Sequence, residues 1–250
     1  MTIRAELGLP GQESLLGGLL DAGAAPTGID GLISGPRFKR YLDRYQGDRK
    51  LALRLYTWNL AVSSAFWGPI NVLEVAVRNA IHHRLAQRTG RGDWWSDRYI
   101  HLCRPEREAI DSTIDTLTHR RGPNPASDDV VAATSFGLWA GLMGAGKPRD
   151  RLFSYETGLW QPSLQHAFPY RGASGRKYIH RQLDDIRVLR NRIAHHEPIY
   201  NSPLDALYES ILEVAGMMHP DARTFIETHS RAREVAQHRR TALETGQIRF

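Results

Sequence analysis

Cysteine is almost absent from this chain of 250 residues, which has Cys103 alone. A single cysteine cannot form an intramolecular disulfide, and without a CxxC pair it cannot build a thiolate zinc site. These absences exclude a disulfide-stapled secreted scaffold and agree with a reducing compartment. We expect Cys103 to be a small buried residue.

The sequence also shows no long apolar run and no pattern typical of a secretory leader. No run of apolar residues approaches the roughly 20 needed to cross a bilayer. The first residues lack a basic region followed by an apolar core and a cleavage site. The sequence therefore predicts a protein without membrane partners that stays in the cytoplasm.

Positive charge is in excess, with a formal net charge of +6 and a pI of about 9.7. Such an excess favours contact with a polyanion such as RNA or DNA, although many basic proteins have no such role. The cations cluster in two segments: His180, Arg181, Arg187, Arg190 and Arg192, and then Arg231, Arg233, His238, Arg239 and Arg240. We expect Arg239 and Arg240 to contribute to RNA binding as an electrostatic guide.

Apolar residues recur at helical spacing along most of the chain, and no convincing alternating strand pattern is present. The predicted fold is all-α, with helices packed on helices. Expected helices cover 36–45, 51–67, 70–87, 105–119, 128–133 (capped by Asp128 and Asp129), 135–143, 178–195, 205–217 and 221–243, and 151–168 is ambiguous. The break after 67 rests on Gly68-Pro69, since proline cannot continue the hydrogen-bond ladder.

Three regions follow from this pattern. Residues 1–34, rich in Gly, Ala and Leu, are expected to form a loosely attached arm with at most a short helix over 12–20. Residues 35–219 are predicted to be the main helical domain. Residues 220–250 are predicted to be a basic C-terminal helix.

One short segment carries unusual chemistry near the end of a predicted helix. Arg190, Asn191, Arg192, His195 and His196 place several cations and an amide within a few residues. An arginine can hold a phosphate through two parallel charge-assisted bonds, and a histidine that titrates near neutrality can move protons. The segment therefore suits phosphodiester cleavage.

The order of these residues resembles a known motif. Arg190, Asn191 and His195 are similar to the R-N-x-x-x-H form of the HEPN ribonuclease motif, and the wider sequence resembles the Abi-like (abortive infection) family over about residues 33–215. The landmarks, in order, are Ile33-Ser34, Arg37-Phe38, Tyr41-Leu42, Leu55-Tyr56, Trp58-Asn59, Ser64-Ala65-Phe66, Leu73-Glu74-Val75, Arg78-Asn79-Ala80-Ile81, Phe136-Gly137-Leu138-Trp139 and the block that ends in His196-Glu197-Pro198-Ile199.

The resemblance implies a HEPN-like helical bundle with additional N- and C-terminal helices, often dimeric. It also implies a metal-independent endoribonuclease without a cofactor, acting as a toxin or anti-phage defence effector. Its catalytic residues would be Arg190, Asn191 and His195, with RNA as substrate and an antitoxin protein or small RNA as a possible antidote. HEPN proteins are not all active, so a non-catalytic module that binds RNA or protein is the alternative.

Helix geometry leaves the arrangement of these residues open. Positions five apart on a regular helix are rotated by about 140°, so Arg190 and His195 would not share a face. Either the helix ends before His195, or the Arg190 side chain bends round, or a partner subunit completes the site. Arg192 and His196, four apart, would meet directly and are secondary candidates. A purely structural alternative pairs both arginines with Asp184 or Asp185, while the histidines cap the helix.

A local echo of the motif occurs at Arg78-Asn79-Ala80-Ile81-His82-His83. The ordinary interpretation is an intrahelical ion pair of Glu74 with Arg78, four residues apart, and a structural hydrogen bond from Asn79. The other interpretation is that Glu74, Arg78 and Asn79 orient Arg190 or His195 without contacting the substrate themselves. We do not expect His82 or His83 to be catalytic.

Two further signals in the sequence favour ordinary structural interpretations. Adjacent histidines on a helix point about 100° apart, so neither His82-His83 nor His195-His196 predicts a metal site. Exposed aromatic rings can stack on bases, but the spacing of Trp58, Phe66, Trp67 and Trp139 is more typical of core residues.

Overall fold

The computed structural model describes residues 33–250, and within them the chain is all-α, as the sequence predicted. The described residues contain no strand, only an isolated antiparallel bridge between Gly146 and Ser154. The predicted arm over 1–34 and its short helix over 12–20 lie outside the described residues, apart from Ile33 and Ser34. Cys103 is buried, as expected.

The described residues divide into two compact units, one formed by residues 33–64 with 237–250 and the other by residues 65–236. In the first unit, helix α1 spans Gly35–Arg44 and begins with Pro36 in its first turn, which suits proline because the nitrogen there needs no partner. Phe38 and Tyr41 on α1 are buried, and the Tyr41 and Tyr56 rings meet edge to face at 5.2 Å. Aromatic rings therefore contribute to this core together with aliphatic residues such as Leu55 and Val62.

Helix α2 spans Arg49–Thr89 without interruption, so the predicted break at Gly68-Pro69 is wrong. An internal proline removes one backbone hydrogen bond and costs about 3 kcal/mol. Phe66, Ile70 and Leu73, on both sides of Pro69, are at most 2% exposed. Burying such side chains stabilises by about 1.5–3 kcal/mol each, which offsets the cost of the proline.

The length and composition of α2 also bear on the membrane prediction. Residues 55–73 contain no Asp, Glu, Lys or Arg, and α2 is long and apolar enough to cross a bilayer by those two measures. This evidence is weak because the core helix of a soluble protein passes the same test, and 44% of the most apolar window is buried within the protein. By length and composition, the prediction that no apolar run approaches the span of a bilayer does not hold for α2.

The second unit is built from helices of moderate length. After α2 come a 3₁₀ turn at Trp94–Ser96, α3 (Arg104–Arg121), α4 (Ser127–Ala133), α5 (Phe136–Leu142), a π turn at Glu156–Trp160, a 3₁₀ turn at Leu164–Ala167, α6 (Arg176–Ala194), α7 (Leu204–Met218), α8 (Pro220–His229) and α9 (Ala232–Gln237). Helix α6 packs against α5 and α7, and α7 packs against α8. Five apolar residues of α6 face this core: Ile179, Leu183, Ile186, Leu189 and Ile193. The predicted apolar stripe of this helix is therefore confirmed.

The predicted cap of α4 differs from the structure. Ala126 is the N-cap residue, and Asp128 and Asp129 lie in the first turn without capping it. Arg121 binds the Asp129 carboxylate at 2.7 Å, which holds that side chain away from the backbone. The two carboxylates still favour the helix start through the positive end of its dipole.

The predicted helix over 221–243 is also divided in the structure. Helix α8 ends at His229, α9 covers Ala232–Gln237, and α10 covers Arg239–Thr245 in the first unit. Ser230 is extended, and its Oγ accepts a hydrogen bond from the Ala232 nitrogen at 3.1 Å. Serine favours such local bonds at helix ends, which explains the first break.

Candidate active site

The predicted motif lies at the C-terminal end of α6. Helix α6 ends at Ala194, and His195 follows it as the C-cap residue with φ −90° and ψ 9°. The His195 nitrogen still donates to the Asn191 carbonyl at 2.9 Å. The helix ends before His195, which is one arrangement left open by the sequence, but the retained backbone bond keeps His195 at its helical angle to Arg190.

His196 reverses the chain just beyond the helix. It adopts a left-handed φ of +55°, which is uncommon for a residue with a side chain. Its nitrogen donates to the Ile193 carbonyl at 3.0 Å, and the Glu197 nitrogen donates to the Arg192 carbonyl at 2.8 Å. This is a Schellman motif with histidine in the position that usually holds glycine.

Because of this reversal, the secondary pair predicted from four-residue spacing does not form. The Arg192 guanidinium donates to Ser202 Oγ at 3.2 Å and lies 3.7 Å from Glu197 Oε2. His196 is beyond the helix, so helical spacing no longer relates it to Arg192. The prediction that Arg192 and His196 meet on one helix face is wrong.

Two residues of α2 contact the Arg190 side chain. Its Nε lies 3.4 Å from Glu74 Oε2, a distance typical of an ion pair and longer than a strong hydrogen bond. Its guanidinium carbon lies 5.7 Å from the centre of the Trp67 ring, within range of a cation–π contact. The Arg190 and Glu74 side chains are 29% and 19% exposed, so water screens the pair only in part. Glu74 therefore contacts Arg190, as the orienting interpretation expected.

The ordinary interpretation of Glu74 does not fit this geometry. Within the part of the chain that the structure describes, Glu74 makes no ion pair with Arg78. Arg78 instead donates to the Ala132 carbonyl at 3.3 Å and lies 3.5 Å from Asn79 Oδ1. The intrahelical pair predicted for Glu74 and Arg78 is thus wrong, because Arg190 reaches the carboxylate from the neighbouring helix.

The structural alternative for the arginines is also not what is found. Arg187, one turn before Arg190, binds Asp184 at 2.7 Å. Asp184 is therefore engaged by a different arginine from the two predicted, and Arg190 and Arg192 bind Glu74 and Glu197 respectively. The ion-pair arrangement proposed with Asp184 or Asp185 is wrong.

The His195 side chain differs from that of Arg190 in its surroundings. It is exposed, and among residues 33–250 no side-chain hydrogen bond or ion pair holds its imidazole. Asn191 is half-buried one residue after Arg190. The structure places Arg190, Asn191 and His195 on the last turn of α6 and its cap, with Arg190 anchored and His195 open to solvent.

His82, in the copy of the motif pattern on α2, has different surroundings from His195. His82 Nδ1 accepts a hydrogen bond from the Trp94 indole at 3.2 Å. Burial lowers the pKa of His82, with Asp128 opposing and His83 reinforcing this effect. Since a neutral ring is needed to accept that bond, His82 has a structural role.

The aromatic residues separate into two groups. Trp58, Phe66 and Trp139 are at most 2% exposed, as the sequence predicted for core residues. Trp67 is 41% exposed and lines a cavity of about 110 Å³ with Asn71, Glu74, Arg78 and Arg190 among its walls. The core assignment of Trp67 is therefore wrong. Its position, one residue beyond the buried series Phe66, Ile70, Leu73 and Val77, was the available signal.

The residues predicted to guide RNA lie in the first unit. Arg240 pairs with Glu244 at 2.8 Å within α10, and both side chains are largely exposed. The Arg239 guanidinium carbon lies 5.1 Å from the centre of the Trp58 ring. Arg54 donates to the carbonyls of Leu243 and Glu244, each at 2.8 Å, and so satisfies the end of α10.

Among residues 33–250, His, Cys, Asp and Glu side chains form no group of three or more that could hold a metal ion.

Comparison with models of protein families, with curated proteins and with solved structures gives no match to this chain.

Proposed function

We propose that the protein is a metal-independent endoribonuclease that acts as a toxin or anti-phage defence effector. Two lines of support meet at the same residues. The ordered resemblance to Abi-like proteins indicates Arg190, Asn191 and His195, and these residues occupy the C-terminal end of α6 and its cap. The net charge of +6 suits a polyanionic substrate.

The proposed reaction needs no group from outside the protein and its RNA. The 2′-oxygen attacks the adjacent phosphorus while His195, in its neutral form, takes the 2′-hydroxyl proton. The bond from phosphorus to the 5′-oxygen breaks, and that oxygen leaves with a proton from a protonated histidine or from water. The products are a 2′,3′-cyclic phosphate and a 5′-hydroxyl.

Arg190 has the charge-stabilising role in this proposal. Its guanidinium can hold two phosphate oxygens in one plane as negative charge develops on them. The ion pair with Glu74 limits the rotation of the side chain before RNA binds. Asn191 would hold the phosphate or the arginine in place.

The observation that carries the proposal is the position of His195, an exposed C-cap residue in the same segment as the anchored Arg190. The His195 nitrogen keeps a helical bond to the Asn191 carbonyl, so its side chain still leaves α6 at about 140° from that of Arg190, and the long Arg190 side chain or a partner subunit has to bring both groups to one phosphate. The His195 imidazole is exposed and engaged by no other described side chain, so it is available to a substrate.

Assembly and location complete the proposal. We infer a two-fold homodimer that supplies two His195 residues, one as base and one as acid. An antitoxin protein or small RNA would restrain the activity. The site would work in the cytoplasm, with α2 as a core helix. Arg239 and Arg240 would add a salt-dependent, sequence-independent contribution to RNA affinity, measurable as a smaller salt slope in the double alanine variant.

A second function is favoured by one observation. Arg190 is already paired with Glu74, and an arginine whose charge is partly neutralised stabilises a transition state less than a free one. This suits a non-catalytic helical module that binds RNA or a partner protein with the same residues.

Incubation of labelled single-stranded RNA with the full chain in excess EDTA separates the two functions. The nuclease produces fragments that end in 2′,3′-cyclic phosphate or its 3′-phosphate hydrolysis product. RNA that is bound and recovered intact indicates the module. Fragments with 3′-hydroxyl ends, or cleavage that EDTA abolishes, contradict the proposed mechanism.

A further inference from the structure

Helix α2 carries a polar stripe beside its buried one. Trp67, Asn71, Glu74 and Arg78 follow each other at spacings of four, three and four residues, which places them on one helix face over about 16 Å. Arg190 reaches this face from α6 and contacts both Glu74 and Trp67. The candidate active site therefore continues along α2 as a row of different chemical groups.

The exposure of Trp67 distinguishes it from the other tryptophans of the second unit. Trp94 and Trp139 are fully buried, and Trp95 and Trp160 are each 5% exposed, whereas Trp67 is 41% exposed. A large ring left in water forgoes the stabilisation that burial would give. A flat exposed indole next to a catalytic arginine is the arrangement by which proteins stack unpaired bases.

The groups beside Trp67 supply hydrogen-bonding atoms and positive charge, which a nucleotide needs in addition to a stacking surface. Asn71 is exposed, and in the described part of the chain its amide makes no hydrogen bond, so a donor and an acceptor face solvent. Arg190 and Arg78 with Glu74 leave one net positive charge around the cavity. Its volume of about 110 Å³ exceeds that of one water and suits a small anionic group.

We infer that Trp67 and Asn71 form a nucleobase subsite for single-stranded RNA beside Arg190. An unpaired base stacks on the Trp67 indole, the Asn71 amide bonds its edge, and the adjacent phosphate binds Arg190. This inference rests on the proposed RNA substrate. The net positive charge around the ring favours an anionic nucleotide over an uncharged apolar partner.

The subsite is tested by binding without cleavage. A fluorescein-labelled, single-stranded 2′-O-methyl oligonucleotide cannot be cut by 2′-oxygen attack, so its affinity for the full chain reports binding alone. Trp67→Ala is expected to weaken it about fivefold to a hundredfold. Trp67→Phe keeps an aromatic plane and should stay within about threefold of the wild type. Asn71→Ala should lose about twofold to tenfold.

Two controls make the effect specific. Phe225 on α8 is 53% exposed and is a matched aromatic, so Phe225→Ala should leave the affinity unchanged. An oligonucleotide of the same length with abasic riboses offers nothing to stack, so wild type and Trp67→Ala should bind it equally. Circular dichroism and thermal unfolding check that each variant is folded.

The outcomes separate this inference from the proposed function. Equal affinity of Trp67→Ala and wild type for the 2′-O-methyl probe overturns the subsite, even where the wild type cleaves ordinary RNA. Loss of affinity in Trp67→Ala without cleavage by the wild type supports the subsite and contradicts the nuclease. No binding by the wild type overturns both. A change in oligomeric state by light scattering with unchanged RNA affinity assigns Trp67 to a protein contact and overturns the subsite.

Discussion

The sequence Arg-Asn followed by a histidine five residues after the arginine occurs twice, at Arg78 to His83 and at Arg190 to His195. The first copy lies inside α2, and the second ends α6. In the first copy, Arg78 binds the Ala132 carbonyl and the neighbouring His82 accepts a bond from Trp94. In the second, Arg190 is anchored on Glu74 and His195 stands open after the last helical turn.

This difference teaches that the position of a motif in its helix decides which groups are available for chemistry. A helix interior commits its polar side chains to neighbouring elements or spreads them around the axis. A helix end releases the backbone and allows consecutive residues to point in new directions. The two copies therefore serve as internal controls for each other.

After the loss of the proton carrier His195, the largest effect on this comparison is expected from the arginines. Arg190→Lys keeps the charge and loses the planar fork, so cleavage of bound RNA should fall about a hundredfold to a thousandfold while RNA affinity changes little. Arg78→Lys should lose at most about tenfold, because its guanidinium is engaged by a backbone carbonyl. Single-turnover kinetics at saturating protein measures the cleavage step directly.

Arg187 provides the matched control for this comparison, since it is also ion-paired on α6 and its side chain is 34% exposed. Arg187→Lys should cleave at the wild-type rate. Equal losses of binding and cleavage in Arg190→Lys would indicate that Arg190 acts through affinity alone and would contradict its catalytic role.

The next effect is the dependence of stability on pH that arises from His82 in the first copy and from His180 on α6. Burial lowers the pKa of His82 in the folded protein, and burial likewise lowers that of His180. The unfolded chain therefore binds more protons as pH falls below about 6.5, the unperturbed histidine value. The stability due to the neutral rings is complete above that pH and is lost as pH falls through it towards the folded-state pKa.

Thermal unfolding between pH 7.5 and pH 5 measures this loss. The double variant His82→Gln, His180→Gln, which cannot take up these protons, should show a smaller decrease in Tm over the same range. A decrease as large as that of the wild type would show that neither ring is the source.

The smallest effect is a change in Tm on replacing His83 or His196, the second histidine of the pairs His82-His83 and His195-His196. His196 has a left-handed φ, so His196→Gly should relieve backbone strain and raise Tm by a few degrees, corresponding to about 1 kcal/mol. His83 lies inside α2, where glycine costs about 1 kcal/mol, so His83→Gly should lower Tm by a similar amount. Differential scanning calorimetry gives the sign of both changes, and a decrease for His196→Gly would contradict the assigned turn.

Much of the fold could be predicted because helical periodicity reflects burial. The apolar series of α6 from Ile179 to Ile193 indicated both the helix and its buried face. Pro69 led to the wrong prediction of a helix break. The burial of Phe66, Ile70 and Leu73 outweighs the free-energy cost of the proline in the helix. The division of the C-terminal region at Ser230 depends on one side-chain bond that periodicity does not register.

The candidate site was predictable only as a set of residues close in sequence. The motif selected Arg190 and His195, while the choice of Arg190 over Arg78 as the partner of Glu74 depends on how α6 lies against α2. The exposure of Trp67 likewise follows from a one-residue offset from the buried series. The Glu74–Arg190 contact and the exposure of Trp67 both depend on tertiary packing, which a local sequence pattern does not specify.

The most direct test of the central claim compares the two histidines at the same place in the two copies. Labelled single-stranded RNA in excess EDTA is incubated with wild type, His195→Ala and His83→Ala, each shown to be folded, and single-turnover rates are measured. His195→Ala should lose about a hundredfold to ten-thousandfold in rate, as expected for a proton carrier, with RNA affinity preserved. His83→Ala should cleave like the wild type. Cleavage by His195→Ala at the wild-type rate would contradict the account.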